Sequence, residues 1–325
     1  MPLRPMRRAI LPSLAVVVAG AAFLVAAPAT SSSQTRRPAY VPALRLIPER
    51  VYTVGAKRIA LAHQRVRYRG LVRDYAPGQV LSVRIRAAGK RYVSVRRTVK
   101  PAARGGVFTV ELKAHRVGKL TAFADGSGLR ARARSVDVIE RSPSYGDSGA
   151  GVEFLQHRLR ELRYLVSLSG TFDDATRRAV LAYRKVGGLP RNFRASAYIV
   201  ARLARKQGRF RPKYPRHGKH VEADLSRQVL VLHDRNGKVF RILHMASGTS
   251  STPTVRGSFR VYSKTPGTNS LGMVNSVYFV GGYAIHGYPD VPMYPASHGC
   301  LRIPIPNSRF VHRWLDYRDK VDVYR

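Results

Sequence analysis

The hydrophobic period changes twice along this chain of 325 residues. Between residues 46 and 140 apolar and polar residues alternate, as from Leu81 to Ile85, which is the period of a strand with one buried face. Between residues 146 and 207 the apolar residues recur at helical spacing, and from residue 220 short strand-like runs return. The chain is therefore predicted to be multidomain, with three folded segments in the order β, α, β.

We expect residues 46–140 to form an antiparallel β-sandwich of immunoglobulin-like type. Turn signals such as Gly105-Gly106 separate its short apolar runs at hairpin intervals, and no helical spacing interrupts them. No cysteine pair can pin this sandwich, because Cys300 is the only cysteine in the chain. Nothing in the segment has a catalytic pattern, so we expect a spacer or wall-contact role.

The N-terminus has the pattern of an export signal. Residues 1–8 are basic, an apolar run follows from Ala9 to Ala27, and Ala-Pro-Ala at 27–29 supplies small residues for cleavage. We predict a signal peptide at 1–29, a Ser/Pro-rich linker at 30–45, and export to the cell wall or extracytoplasmic space. A retained membrane anchor is the alternative, because the run approaches the roughly 20 residues that span a bilayer.

The formal net charge of +40 favours anionic partners. A basic surface binds any polyanion through counterion release, but an exported protein rarely meets nucleic acid, so anionic wall polymers are the expected partners. Residues 208–219 form a basic stretch that we interpret as a linker. His217 in this stretch and His220 directly after it fit the solvated surface expected of a basic linker, since two histidines without further ligands rarely bind a metal, and no role is assigned to them.

The helical segment resembles a known wall-binding module. Its stretch GVEFLQHRLRELRYLVSLSGTFDDATRRAVLAYRKVGGL, within residues 146–207, is similar to the three-helix peptidoglycan-binding domain attached to wall hydrolases and transpeptidases. The resemblance rests on Leu155-Gln156, Gly170-Thr171-Phe172, Thr176 and Ala179-Val180, and it departs at Leu168-Ser169, before the Phe turn. It implies contact with glycan. No single residue is assigned to that contact, because each fits a helical core equally well.

The single cysteine lies close to two histidines. A thiol is a useful nucleophile when a nearby imidazolium holds it as thiolate and it stays accessible. His298 precedes Cys300 by two residues and is expected to shape the turn, whereas His286 comes from another strand and can approach the sulfur. We therefore expect Cys300 to be the nucleophile and His286 its general base.

Small residues beside this pair have physical uses. Gly299 permits a sharp turn that aims nearby amides at a developing oxyanion, and Ser297 can hydrogen-bond within that turn. Gly287 leaves a carbonyl free to hold the second imidazole nitrogen of His286, in place of the carboxylate of a conventional triad.

Three larger side chains complete the candidate site. Arg302 suits either a substrate carboxylate or a structural acid, because its fork of donors fits both. Tyr288 and Tyr294 either line the pocket or pack in the core.

The motifs IHGY at 285–288 and SHGCLR at 297–302 resemble the catalytic motif of YkuD-type L,D-transpeptidases. The resemblance extends over residues 220–325 and implies a mainly β catalytic domain, with a loop between the motifs that is short beside some members. It implies Cys300 as nucleophile and His286 as base. The matching support positions are Gly287, Ser297, His298, Gly299 and Arg302.

The resemblance also implies an acyl transfer on peptidoglycan stem peptides, in cell-wall biogenesis or remodelling. A thioester on the cysteine would be resolved by an amine, giving a cross-link between third-position residues, or by water, giving L,D-carboxypeptidase activity. No metal or organic cofactor is implied, and carbapenem-type β-lactams are expected to acylate the thiol. Three other classes are open: a sortase, whose Thr-Leu-x-Thr-Cys strand is absent here; a zinc peptidase; and a non-enzymatic wall-binding protein.

Overall fold

The computed structural model describes residues 43–325. The predicted signal peptide and most of the predicted linker lie outside this range. Within it, none of the helices combines the length and the apolar character that crossing a bilayer requires.

The first segment consists of short strands in two sheets. One sheet has the order β1-β4-β8-β7 and the other β2-β3-β11-β9-β5-β6, with β10 paired to β9. One pair departs from the antiparallel expectation, because β11 runs parallel to β3. The immunoglobulin-like type stays a prediction. The strands are β1 Leu44–Glu49, β2 Tyr52–Val54, β3 Lys57–Leu61, β4 Arg65–Val72, β5 Val80–Arg86, β6 Val93–Thr98, β7 Lys100–Ala102, β8 Gly105–Lys113, β9 Gly118–Gly126, β10 Leu129–Arg132 and β11 Val136–Ile139.

Alternation places one face of each long strand in a shared core. In β5 the buried residues are Leu81, Val83 and Ile85, and the polar residues between them face outward. Tyr68 and Phe108 contribute large side chains to the same core.

Three helices follow, α1 Ala150–Glu161, α2 Asp174–Val186 and α3 Ala197–Ala204. Asp173 caps α2 by accepting from the Thr176 amide at 2.8 Å. Gln156 of α1 is fully buried, and its amide group bonds the Thr171 carbonyl at 2.9 Å, the Thr176 hydroxyl at 2.9 Å and the Gly170 amide at 2.9 Å. These motif residues therefore hold the turn between α1 and α2 in place. The wall-binding role of the segment stays a prediction.

The last segment contains two further sheets around one core. Their orders are β14-β13-β12-β20-β15 and β16-β17-β18-β19. The core between them includes Val221, Leu230, Ile285 and Leu301. The elements are β12 His220–Asp224, β13 Val229–His233, β14 Val239–His244, β15 Gly257–Arg260, β16 Ser263–Thr268, β17 Val274–Val280, β18 Tyr283–Tyr288, β19 Leu301–Pro304, α4 Ile305–Trp314 and β20 Lys320–Tyr324.

Both hairpins expected in this segment are present. Asn236-Gly237 lies in the turn between β13 and β14, where Gly237 has φ +70° and its amide donates to the Asp234 carbonyl at 2.9 Å. Gly281-Gly282 joins β17 to β18, with φ +48° at Gly281. The second hairpin delivers His286 two residues before the end of β18.

A buried lysine ties the helices to the last segment. Lys185 of α2 is 3% exposed, and its Nζ donates to the carbonyls of Gln228 and Met245 and to Nδ1 of His244, at 3.1, 3.0 and 2.8 Å. Nε2 of His244 in turn donates to the carbonyl of Val291 at 2.8 Å. Since Val291 lies between β18 and β19, α2 is connected to the loop between these two strands.

The expectation that His220 is solvated is wrong. Strand β12 is paired on both sides, with β13 and with β20, so all five of its residues are buried and His220 is 0% exposed. The preceding basic stretch is also held against the domain, because the amides of Lys213 and Tyr214 donate to the Glu222 carboxylate at 2.8 to 3.0 Å.

Candidate functional site

The candidate base lies on β18, and the candidate nucleophile directly precedes the adjacent strand β19. β18 and β19 run parallel, with Ile285 opposite Leu301 and His286 opposite Arg302. Ile285 and Leu301 point into the core, so the alternation of side chains places His286, Cys300 and Arg302 together on the other face. Cys300 comes immediately before β19, and its Sγ lies 3.4 Å from the amide nitrogen of Ala284.

The turn that presents Cys300 is held by Ser297. Its hydroxyl donates to the Cys300 carbonyl at 2.6 Å and accepts from the Gly299 amide at 3.1 Å. Gly299 has φ +116°, and a Cβ there would overlap the ring of Tyr283. Glycine is therefore required at this position by both conformation and space.

A hydroxyl-rich loop before β15 supports the same turn. The Thr254 hydroxyl donates to the Gly299 carbonyl at 2.7 Å and accepts from the Gly248 amide at 2.9 Å, while the Thr252 hydroxyl donates to the Ser297 carbonyl at 2.9 Å. Sequence reasoning missed these residues. The only available signal was the density of hydroxyl residues in GTSSTPT at 248–254.

His286 is 3% exposed, and its Nδ1 lies 2.9 Å from the Gly287 carbonyl. Because a carbonyl can only accept, Nδ1 carries the proton and Nε2 is left with a lone pair. Burial lowers the pKa of His286, and the nearby Arg302 charge lowers it further, while the Gly287 contact opposes both. Gly287 itself must be small, because a Cβ would lie 2.7 Å from that of Ser308 in α4.

The pKa of the Cys300 thiol is shifted upward, in the opposite direction to that of His286. Burial raises the pKa of Cys300, against the lowering effects of the Ala284 amide and of Arg302. The thiol also donates toward the Gly282 carbonyl at 3.7 Å. A pre-formed thiolate–imidazolium pair is thus not what the structure favours. Both shifts in pKa favour a neutral thiol and a neutral imidazole, because both groups are desolvated.

The other candidate site residues lie in different environments. His298 is exposed, whereas the guanidinium of Arg302 stacks 4.1 Å above the ring centroid of Tyr288. Tyr288 also meets His286 edge-on, with centroids 5.7 Å apart, so it lies beside the candidate base. Tyr294, in contrast, is 64% exposed and is not a core residue. Among residues 43–325, Arg302 forms no ion pair with an acid.

One cluster elsewhere contains metal-ligating residue types. His220, Glu222 and His233 are fully buried, and their candidate ligand atoms lie within 4.8 Å of one another. However, the two imidazoles are stacked with centroids 4.2 Å apart and planes 10° from parallel. The lone pairs of stacked rings run side by side, so one metal cannot lie in both ring planes. The cluster instead fits a hydrogen-bonded core, in which Glu222 also accepts from the Tyr324 hydroxyl at 2.6 Å.

Comparisons with known proteins identify the family of the last segment. Residues 218–323 match the family model of the YkuD L,D-transpeptidase catalytic domain, a range that includes Cys300 and His286. A solved L,D-transpeptidase from Xylanimonas cellulosilytica is 33% identical, with a TM-score of 0.53 over 56% of this chain and 97% of that one. A comparison with curated proteins finds no match.

Two further solved structures are more distant. An L,D-transpeptidase from Stackebrandtia nassauensis is 20% identical, with a TM-score of 0.36 over 56% of this chain and 95% of that one. One from Mycobacterium smegmatis is 11% identical, with a TM-score of 0.30 over 86% and 97%. The family assignment does not depend on either. On the match to the family model and the likeness to the Xylanimonas protein, the chain belongs to the YkuD family of L,D-transpeptidases.

Proposed function

We propose that this protein is a peptidoglycan L,D-transpeptidase that works through a thioester on Cys300. The observation that supports the proposal is that His286 lies on β18 and Cys300 directly precedes β19, the strand paired with it, inside the region that matches the family. The substrate is the tetrapeptide stem of peptidoglycan, and the product is a cross-link between third-position residues.

Because both groups rest in their neutral forms, the proton moves during the attack. Sγ attacks the carbonyl of the third stem residue while Nε2 of His286 takes the thiol proton. The imidazolium then gives this proton to the nitrogen of the terminal D-alanine, which leaves as the C–N bond breaks. An acceptor amine attacks the thioester next and loses a proton to Nε2, and the departing sulfur is reprotonated by the same imidazolium.

The groups around the pair suit these steps. The Gly287 carbonyl, at 2.9 Å from Nδ1, stabilises the imidazolium when it forms. Arg302 favours the neutral imidazole between turnovers. Of the amides in the turn, that of Gly299 is occupied by Ser297, so we assign the oxyanion to the amides of His298 and Cys300.

The wider assignments belong to the same proposal. Export would place the protein in the cell wall, the positive charge would favour anionic wall polymers, and the helical segment would hold glycan. Carbapenem-type β-lactams would acylate Cys300, since a strained lactam carbonyl is an electrophile of the same kind as the stem carbonyl.

Release of D-alanine from purified tetrapeptide stems tests the proposal. We expect the wild-type protein to release D-alanine, and Cys300→Ala to lower the rate by at least about 10³-fold, since the acyl-enzyme cannot form. Thermal melting of both proteins controls for folding. Release that survives in Cys300→Ala would contradict the mechanism, and no release by the folded wild type would favour a non-enzymatic wall-binding role.

A further inference from the structure

A cleft separates helix α2 from strand β18. It has a volume of about 400 Å³, and its lining includes Arg178 of α2, Phe193, and Tyr288 and Ile305 of the catalytic segment. Tyr288 contacts His286 edge-on and stacks under Arg302. Tyr288 therefore links the lining of the cleft to His286 and Arg302, and residues of the helical segment complete the cleft.

Arg178 has no acidic partner in this cleft. Its Nε is buried without a hydrogen-bond partner, and its guanidinium forms no ion pair with any acid in the described part of the chain. The two acids that act on it are engaged elsewhere. Asp174 pairs with Arg177 at 3.1 Å, and Asp173 accepts from the amide and hydroxyl of Thr176 at 2.8 Å.

Holding the Arg178 guanidinium in this cleft without a ligand costs free energy. Partial burial lowers the pKa of Arg178, which reflects the loss of hydration around a charge that has no counter-ion in contact. A planar fork of N–H donors in a half-dry cleft fits a carboxylate, which it can bind in two parallel hydrogen bonds.

The charge of the lining points to the same class of ligand. Its one acid, Asp174, is already paired, and Lys185 holds α2 against the catalytic sheet through His244. Arg178 is thus held at a fixed place relative to β18. The cleft presents a cation on one wall and the aromatic ring of Tyr288 on the other.

We propose that Arg178, supplied by the helical segment, binds a free carboxylate of the stem peptide and so completes the substrate site of the catalytic segment. This rests on the proposed function for the identity of the peptide. Two carboxylates qualify: the terminal carboxylate of the donor stem, which leaves with D-alanine, and a carboxylate of the acceptor stem.

Steady-state kinetics on tetrapeptide stems tests the assignment and separates the two sources. For the donor source, Arg178→Gln raises KM for D-alanine release about tenfold with kcat within about twofold, and the effect vanishes on a stem amidated at its C-terminus. For the acceptor source, D-alanine release is unchanged, and the ratio of cross-link to hydrolysis falls about tenfold. Either result supports the proposal.

Two further variants serve as controls. Arg178→Lys keeps the charge and should recover part of the loss. Arg160→Gln removes an exposed charge of α1 outside the cleft and should match the wild type. Equal effects in Arg160→Gln and Arg178→Gln, or no effect of Arg178→Gln on either readout, would overturn the assignment.

Failure of the proposed reaction is distinguishable from failure of this assignment. Calorimetric titration of the tetrapeptide stem into Cys300→Ala, with and without Arg178→Gln, reports binding alone. We expect about tenfold weaker binding without Arg178 for a donor carboxylate even if no turnover is found. Unchanged binding together with unchanged kinetics would overturn the proposal.

Discussion

At the scale of single residues, burial supports the proposed division of roles between the two histidines. His286 is enclosed and keeps a free Nε2, whereas His298 is exposed at the turn. The raised pKa of Cys300 means that the thiolate fraction near neutral pH is smaller than in an ordinary cysteine. Alkylation therefore depends on a base that takes the proton during attack.

This division predicts the reactivity of Cys300 toward iodoacetamide. In the absence of a general base, the rate of alkylation should rise only at a pH above the range in which an ordinary cysteine ionises, because the pKa of Cys300 is raised. Near pH 7, His286→Ala should slow labelling about tenfold, and His298→Ala by less than about twofold. Labelling followed by mass spectrometry measures both. A rate already at its plateau near pH 6 would indicate a pre-formed thiolate–imidazolium pair. A larger effect of His298→Ala than of His286→Ala would assign the base role to His298.

At the scale of elements, the hairpins and the position of His286 on a strand other than that of Cys300 were predictable, whereas the partners of β12 were not. Asn236-Gly237 and Gly281-Gly282 are local turn signals, so the hairpins that contain them can be predicted from the sequence alone. His220 was misjudged because its burial depends on β20, which lies about 100 residues away in the chain. The hydroxyls of Thr252 and Thr254 were missed for the same reason, since their acceptors are distant in sequence.

The buried pair of Glu222 and His233 makes the sheet sensitive to acid. Burial lowers the pKa of His233 to about 4, and hydrogen bonds from His220, Tyr324 and backbone amides outweigh burial and lower the pKa of Glu222 to about 2. In both cases the unfolded chain binds more protons than the folded one. Stability therefore falls as the pH drops, from about 6.5 to 4 for the histidine and from about 4.5 to 2 for the carboxylate.

Urea denaturation at pH 7.5 and pH 5 checks this dependence. The wild type should lose on the order of 1–3 kcal/mol between these values through His233, and His233→Gln should show a smaller loss. His298→Gln, an exposed control, should behave like the wild type. Equal pH dependence in all three proteins would contradict the assignment.

At the scale of the whole molecule, the described segments form a connected structure. One hydrophobic cluster contains Leu61 of the first segment, Leu159 and Val180 of the helices, and Val231 and Ile242 of the last. The sequence predicted each segment from its own period. It could not predict their contacts, because Lys185 looks like any surface lysine of an amphipathic helix until its three acceptors are brought to it by the fold.

Replacing Lys185 should weaken the molecule as a whole. Lys185→Met leaves the carbonyls of Gln228 and Met245 and Nδ1 of His244 without their donor, at a cost of about 1–3 kcal/mol in the free energy of unfolding. Lys206→Met, which removes only an exposed pair with Glu161, should cost less than about 1 kcal/mol. Chemical denaturation measures both. Equal stability of the two variants would show that the buried contact contributes little.

In the proposed mechanism Cys300 carries the acyl group, and intact-mass analysis with a carbapenem is a direct test of this role. The wild-type protein should gain the mass of one carbapenem, with the modification on Cys300, and Cys300→Ala should gain none. An adduct on another residue, or an unmodified wild-type protein under conditions in which its thiol reacts with iodoacetamide, would contradict the account.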